Sequence, residues 1–316
     1  RKFLTIKLKM LVLFTFLIIW LQAANVLSID EVTPAKFLFN IEREASEALE
    51  KPKDIFIDIE HKEIYVLDNK GRMRLQVFNQ EGAFLSDLNI GTMFNIISGI
   101  GVSRTGKIYV SAPGKNEVAI LNFRGKYVHK LDFSEIPEPK EVLPGKLTFD
   151  SERNLYCVDH KNQRVLVFDE KNNFKFAFGS KGNDEGKFQN ISDIAVSRDS
   201  RIFILDAMLG RISVFDSTGN FLSKFGQKGS GVGKMSQPSG IAVDKDGTIF
   251  ITDSFRHNVL AFSGKDYNLW FEFGGLGTGN GWFINPSDIA IDDMGRLYVV
   301  DWGNGRIQVF EIEKLK

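Results

Sequence analysis

The sequence is poor in the residues and motifs that mark common catalytic sites. It has one cysteine, Cys157, among 316 residues, which excludes an intramolecular disulfide and any metal site built from several thiolates of one chain. It has no Gly-x-Ser-x-Gly, His-Glu-x-x-His or P-loop sequence, so the familiar hydrolase, metalloprotease and nucleotide-binding patterns are missing. No local motif therefore favours a particular enzyme class.

Net positive charge is missing as well. The chain has 40 Lys and Arg residues against 40 Asp and Glu residues, and four of the basic residues precede the first acidic one, Asp30. Without Arg1, Lys2, Lys7 and Lys9, 36 basic residues face 40 acidic ones. The rest of the chain therefore has no excess of basic residues, which a nucleic-acid-binding surface requires, so we expect no nucleic-acid partner.

The first residues have the layout of a secretory signal. Residues 1–9 are basic, residues 10–21 are an unbroken apolar run, and small and polar residues follow. The run is shorter than the ~20 apolar residues that cross a bilayer. We predict a signal peptide over residues 1–24, export to the periplasm or the extracellular space, and no stable membrane span after cleavage. The alternative is an uncleaved signal anchor.

Six copies of one pattern fill the rest of the chain. The clearest copies are 191–215, 238–262 and 286–310, and weaker ones span 52–78, 97–121 and 143–168. The residue that closes the second strand of each copy recurs every 44 to 48 residues: Asp68, Ala112, Asp159, Asp206, Asp253 and Asp301. A repeat of this length is typical of propellers and solenoids.

Two features favour a closed ring of blades. The middle of the first strand is small in all copies but the first, which has Phe56: Gly101, Thr148, Ala195, Ala242 and Ala290. Small residues fit strands that crowd around a central axis. The last copy lacks a fourth strand, and residues 36–42 precede the first copy with the spacing of one.

The predicted fold class is therefore all-β. We expect a six-bladed β-propeller of four-stranded antiparallel blades, closed by the N-terminal strand 36–42, which completes blade six. One domain is expected over residues 25–316. Its blades are expected to begin near residues 52, 97, 144, 191, 238 and 286.

The repeat resembles a known family. It is similar to the NHL repeat, most clearly at 286–310 and 238–262. The similarity rests on three runs in succession: Pro-Ser-[Gly/Asp]-Ile-Ala-[Val/Ile]-Asp, then aromatic-x-x-Asp, then Asn-x-Arg-[Ile/Val]-x-Val-Phe. The resemblance implies a propeller but no single function, because NHL propellers include protein-binding platforms, RNA-binding domains and a lyase class. Those lyases carry zinc on channel histidines. This chain places its histidines in a turn, an outer strand and two loops: His61, His129, His160 and His257.

Some repeated features have a structural interpretation. An aspartate and an arginine close the loop between strands two and three in four copies: Asp68/Arg74, Asp159/Arg164, Asp206/Arg211 and Asp301/Arg306. We predict that each pair is a local brace formed by charge-assisted hydrogen bonds. Phe188, Met235 and Phe283 occupy equivalent positions in the connections between copies, where they are expected to pack blade against blade.

One candidate site lies at the start of the inner strands. Asp54, Asp193 and Asp288 occupy the same repeat position as Gly99, Lys146 and Gly240 and should ring one mouth of the channel. Three carboxylates can hold a hard cation such as Ca²⁺. The alternative is that Asp and Gly serve turn geometry at a strand start. No other cofactor is implied.

A second candidate site is a set of apolar loop residues in blades four to six. Met208, Leu209, Phe255 and Trp302 lie in loops between strands two and three, and Trp282 lies in a connection between blades. Both kinds of loop emerge on one face of a propeller. Exposed aromatic residues beside Arg256 are typical of a protein interface. The alternative is that these rings fold down over the blades.

The favoured function is an exported, non-catalytic protein-binding or assembly module that uses this loop face. Its expected partner is another exported protein or a glycan. The alternative is a propeller enzyme, a lyase or lactonase-like hydrolase, with a carboxylate metal site at the channel mouth.

Overall fold

The computed structural model describes residues 34–42 and 48–313, and the predicted signal peptide over residues 1–24 lies outside them. The described residues form six four-stranded sheets arranged as blades and one short two-stranded parallel sheet. Within these ranges no helix has the length and apolarity that crossing a bilayer requires. The predicted fold class, a six-bladed β-propeller, is confirmed.

The strands follow the predicted order along the chain. The first strand is β1 (Ala35–Ile41). Blade one contains β2 (Asp54–Asp58), β3 (Glu63–Asn69), β4 (Met73–Asn79) and β5 (Phe84–Leu88). Blade two contains β6 (Gly99–Val102), β7 (Ile108–Ala112), β8 (Glu117–Leu121) and β9 (Tyr127–Lys130). Blade three contains β10 (Pro144–Phe149), β11 (Leu155–Asp159), β12 (Arg164–Phe168) and β13 (Phe174–Phe178).

The second half of the chain repeats this arrangement. The parallel pair β14 (Ser180–Lys181) and β15 (Lys187–Phe188) leads into blade four. Blade four contains β16 (Ile191–Val196), β17 (Ile202–Asp206), β18 (Arg211–Phe215) and β19 (Phe221–Phe225). Blade five contains β20 (Pro238–Val243), β21 (Ile249–Asp253), β22 (Asn258–Phe262) and β23 (Leu269–Gly274). Blade six contains β24 (Pro286–Ile291), β25 (Arg296–Asp301) and β26 (Arg306–Ile312).

Strand β1 completes blade six, as predicted. It pairs antiparallel with β26, with Phe37 opposite Phe310 and Ile41 opposite Ile307. The strand order of this sheet is β1-β26-β25-β24. The pairing joins the two ends of the described chain and covers the edge of β26, which would otherwise be open to other strands.

The core lies between neighbouring blades. The middle strands of each blade are buried on both faces, as in β11 and β12, so they are rich in Val, Ile, Leu and aromatic residues. Phe188, Met235 and Phe283 are fully buried, which confirms their predicted packing role. Near the axis, a Cβ on Gly101 would lie 3.0 Å from the Phe149 ring, so a small residue is needed there.

The two ends of the propeller differ in their loops. We call the end that carries the connections between blades, and the loops between second and third strands, the loop face. The opposite end, with the turns between first and second strands, is called the turn face. Three short 3-10 segments occur in the described residues, at Ile90–Thr92, Pro113–Lys115 and Trp302–Asn304, and all three lie on the loop face.

The predicted Asp–Arg braces are present in three blades. The Arg164 and Arg306 Nε atoms each donate to their aspartate over 2.9 Å, and Arg74 Nε donates to Asp68 over 3.0 Å. Each guanidinium also donates to backbone carbonyls of the preceding connection. Blade four differs, because the guanidinium of Arg211 bonds to three backbone carbonyls of that connection. The braces hold the loops of the loop face in place.

Candidate functional site

The three predicted carboxylates meet at a narrow waist of the central channel. Each is at least nine-tenths buried and accepts a hydrogen bond from an inner-strand amide of the next blade. The pairs are Asp54 with Ile100 at 2.8 Å, Asp193 with Ile241 at 2.8 Å, and Asp288 with Ile55 at 3.0 Å. These bonds join neighbouring blades at the axis, so the aspartates have a structural role whatever else they bind.

Lys146 fills the space between the carboxylates. Its ammonium contacts Asp54 Oδ1 and lies 2.7 Å from Asp288 Oδ2. The lysine comes from blade three, which supplies no aspartate to the ring. Among the described residues, no three His, Cys, Asp or Glu side chains are grouped so that they could hold a metal ion. The Lys146 ammonium thus places a positive charge beside the carboxyl groups, where the sequence analysis left Ca²⁺ and simple turn geometry as alternatives.

The three carboxyl groups of the waist differ in their pKa values. Burial raises the pKa of Asp193 to about 6 and that of Asp288 well above its usual range, although the Lys146 charge opposes both shifts. Burial also acts on Asp54, but the Lys146 charge and hydrogen bonds lower its pKa overall. A hydrogen bond between the Asp54 and Asp288 side chains contributes to both shifts. Near pH 7 the waist therefore combines one ammonium, the ionised carboxylates of Asp54 and Asp193, and the carboxyl group of Asp288, which tends to keep its proton.

The channel has a separate space on each side of the waist. Toward the turn face it widens into a cavity of about 540 Å³, whose wall includes Phe56, Tyr109 and Phe149. Toward the loop face it opens into a smaller space of about 300 Å³, which we call the upper well. Lys146 borders both spaces.

The upper well is lined by polar side chains that the sequence interpretation did not bring together. They include four serines at one repeat position, two lysines and one histidine: Ser98, Ser192, Ser239, Ser287, Lys53, Lys146 and His160. His160 is a correction to the sequence analysis, which placed it in a loop and away from the channel. It does follow β11 in a loop, but its ring lies at the channel mouth.

A pair of repeat positions in blade three explains where His160 lies. Gly145 stands where four other blades have serine, and a Cβ there would lie 2.2 Å from His160 Nε2. His160 directly follows the marker Asp159, as Ala207 and Ser254 follow theirs, and all three line the upper well. A glycine at position 145 together with a histidine at position 160 was therefore the feature of the sequence that could have predicted a histidine at the channel mouth.

The predicted apolar residues of the loop face divide into two groups. Met208 is 60% exposed, Phe255 68% and Trp282 41%, whereas Leu209 and Trp302 are only partly exposed. Trp282 lies against Gly275, where a Cβ would come within 2.7 Å of the ring. Lys51 Nζ lies 5.7 Å from the centre of the Trp302 ring. Each tryptophan is thus partly folded onto the blades.

Beside blade five, two more exposed apolar residues were missed by the sequence interpretation. Val232 is 77% exposed and Leu276 is 66% exposed, and both lie in glycine-rich connections that flank blade five. Their place among glycines gave no sign that they would point outward. We call the five exposed residues the loop-face patch: Met208, Val232, Phe255, Leu276 and Trp282.

Hydrogen bonds place the loops of this patch side by side. Lys228 Nζ donates to Ala207 O, which joins the blade-four loop to the next connection. Arg256 Nη1 donates to Lys234 O at the far end of that connection. The Asn285 amide donates to His257 Nδ1 over 3.0 Å, which ties the blade-five loop to the connection carrying Leu276 and Trp282. The patch therefore extends over neighbouring loops of blades four to six.

Arg256 is held within the fold. Its guanidinium donates to both carboxylate oxygens of Glu272, at 2.9 and 3.0 Å, and to Lys234 O. Blade five has Asn258 where four of the other blades have arginine. Arg256 thus contacts the preceding connection as the brace arginines do, with Glu272 as its carboxylate partner.

These features define the class of the protein: a six-bladed β-propeller with an ion-paired waist and an apolar loop face. A family model described as a 6-bladed beta-propeller matches residues 144–212 and 183–272, and the NHL repeat model matches residues 283–310. The described residues thus form a six-bladed β-propeller, and blade six contains an NHL repeat. No curated protein sequence matches it.

Solved structures share this fold at low sequence identity. Virginiamycin B lyase from Staphylococcus aureus is 15% identical, with a TM-score of 0.57 over 87% of this chain and 88% of that one. A gluconolactonase from Xanthomonas campestris is 12% identical, with a TM-score of 0.63 over 89% and 96%. A structural genomics protein of unknown function from Bacteroides thetaiotaomicron is 16% identical, with a TM-score of 0.63 over 87% and 72%. These likenesses concern the fold alone.

Proposed function

We propose that this propeller is an exported binding module whose loop-face patch docks another exported protein. The observation that carries the proposal is the exposure of Met208, Val232, Phe255, Leu276 and Trp282 on adjoining loops. Exposed apolar residues that adjoin one another are costly in water and mark interaction surfaces. Export is inferred from the basic start and the apolar run over residues 10–21.

The chemistry of the patch favours a protein over a glycan. Three of its five residues, Met208, Val232 and Leu276, are aliphatic or thioether side chains, which gain free energy by burying apolar area. They offer no hydrogen bonds to sugar hydroxyl groups. Methionine is flexible and adapts to irregular apolar surfaces, while the rings of Phe255 and Trp282 add rigid contact area.

A second candidate function is a propeller enzyme of the lyase or lactonase-like hydrolase type. Its support is limited to the chemistry of Asp54, Asp193 and Asp288, since carboxylate oxygens are the ligands that Ca²⁺ prefers; among the described residues these three side chains are not grouped as a metal site. The position of Lys146 weakens it, since its ammonium lies against two of these carboxylates. A metal ion would have to displace that ammonium, so we place the binding module first.

Site-specific photo-cross-linking tests the proposed function. A photo-activatable residue is introduced at position 208 or 255 of the patch, or at position 294, which is exposed on the turn face. Each protein is added to the exported fraction of its own organism and irradiated. We expect one protein adduct shared by positions 208 and 255 and absent at 294. Equal adducts at all three positions, or none at the patch, would contradict the proposal.

A further inference from the structure

The upper well has the chemistry of an anion site. Its wall includes Lys53, Lys146 and His160, five serines and the amide groups of Asn190 and Gln237, and no carboxylate borders it among the described residues. We propose that the upper well binds a small oxyanion, a carboxylate or a phosphate group. This inference is independent of the loop-face patch and of any protein partner.

Two ammonium groups provide the attraction. Lys146 has three N–H donors, and its ammonium contacts the carboxyl groups of Asp54 and Asp288 below the well, so one donor remains for a ligand. Lys53 is exposed at the rim, where its Nζ makes only a long 3.4 Å contact with Ile97 O. A rim lysine with so weak a bond can turn toward an anion at little cost.

The carboxyl groups of the waist lie beneath Lys146 and outside the wall of the upper well. Asp54 is paired with the ammonium, and the carboxyl of Asp288 tends to keep its proton because burial raises its pKa. Asp193 is turned toward backbone amides, since it accepts hydrogen bonds from Ile194 and Ile241, each over 2.8 Å. The groups that reach the well itself are therefore cationic or neutral donors.

His160 adds a donor that reports on its surroundings. Burial lowers its pKa, and the charges of Lys53 and Lys146 lower it further, against the opposite effect of Asp159. The imidazole is thus neutral near pH 7 and has one N–H to donate. An anion bound beside the ring would favour its charged form and raise its pKa.

The four serines at one repeat position supply further hydroxyl groups. Ser98 and Ser239 donate to carbonyls of the next blade, at 2.7 and 2.9 Å, and these bonds fix the strand starts. Ser192 makes only a 3.3 Å bond to Leu205 O, so its hydroxyl is the easiest to redirect toward a ligand. At about 300 Å³, the well has room for a phosphate or carboxylate group.

Phosphate titration followed by NMR of the histidine rings tests the inference. Inorganic phosphate and acetate are compared with sodium chloride at equal ionic strength, using the full chain. We expect phosphate or acetate to raise the pKa of His160 by about one pH unit and to leave His61 and His129 unchanged. His61 lies on the turn face and His129 on the outer strand β9, so both are internal controls.

The variant Lys53→Gln identifies the site of binding. Lys53 is exposed, so this substitution should preserve folding, and it should reduce the phosphate affinity by about tenfold, as loss of a charged hydrogen-bond donor does. A smaller shift with acetate than with phosphate would assign the site to phosphate groups, and the reverse to carboxylates. Shifts equal to those in sodium chloride, or equal in Lys53→Gln and the wild type, would overturn the inference.

Discussion

At the scale of single residues, Lys146 determines the character of the channel. The sequence predicted a ring of Asp54, Asp193 and Asp288 and placed Lys146 on it, because repeat position alone fixes which residues meet at the axis. It could not predict that the ammonium would lie between Asp54 and Asp288. That depends on the conformation of a long side chain, which the repeat does not determine.

The raised pKa of Asp193 makes a prediction about pH. Its carboxyl has a folded pKa of about 6, above its usual 3.8, so the group stabilises the fold below about pH 4, and this contribution is lost as the pH rises through 6. The variant Asp193→Asn lacks this titration. We therefore expect the free energy of unfolding of Asp193→Asn, taken relative to that of the wild type, to rise by about 3 kcal/mol between pH 4 and pH 7.

Urea unfolding at several pH values measures this difference. Asp293→Asn is the matched control, because Asp293 is an exposed aspartate on the turn face. A constant difference between Asp193→Asn and the wild type across this range would show that Asp193 does not titrate as described.

At the scale of strands and loops, most of the architecture could be predicted. The 44-to-48-residue period, the small inner-strand residues and the missing last strand predicted six blades and the pairing of β1 with β26. The brace of blade five could not be predicted. Its arginine, Arg256, lies two residues before Asn258, which occupies the repeat position of the other arginines. Its acidic partner, Glu272, comes from β23. Only the folded sheet brings Arg256 and Glu272 together.

The blade-five brace predicts a stability effect for Arg256. The variant Arg256→Ala loses two bonds to Glu272 and one to Lys234 O, and it leaves Glu272 without this cation. We expect a loss of about 2 kcal/mol in the free energy of unfolding, as charge-assisted bonds at a partly buried site contribute. Chemical denaturation measures it, with Arg198→Ala on the turn face as control.

The same variant separates two roles for Arg256. The sequence interpretation counted Arg256 among the partner-binding residues, beside Phe255. Unchanged stability together with weaker partner binding would support that role and contradict the brace.

At the scale of the whole molecule, the exposed apolar residues of the loop face could be predicted only in part. Repeat comparison found Met208, Phe255 and Trp282, because each departs from what other blades have at its position. It missed Val232 and Leu276, which are exposed. The sequences of the connections vary from copy to copy, so a comparison of copies does not mark any residue there as unusual. The direction in which such a side chain points depends on the loop conformation. Which apolar residues are exposed therefore became clear only with the folded loops.

The most direct test of the account is partner affinity on variants of the loop-face patch. The partner identified by cross-linking is titrated against Met208→Ala/Phe255→Ala, with Met294→Ala on the turn face as control, and unfolding curves are recorded for all proteins. Met208 and Phe255 are mostly exposed, so we predict nearly unchanged stability and a Kd at least about 30-fold higher, which corresponds to roughly 2 kcal/mol. An unchanged Kd, or a weakening explained by unfolded protein, would contradict the account.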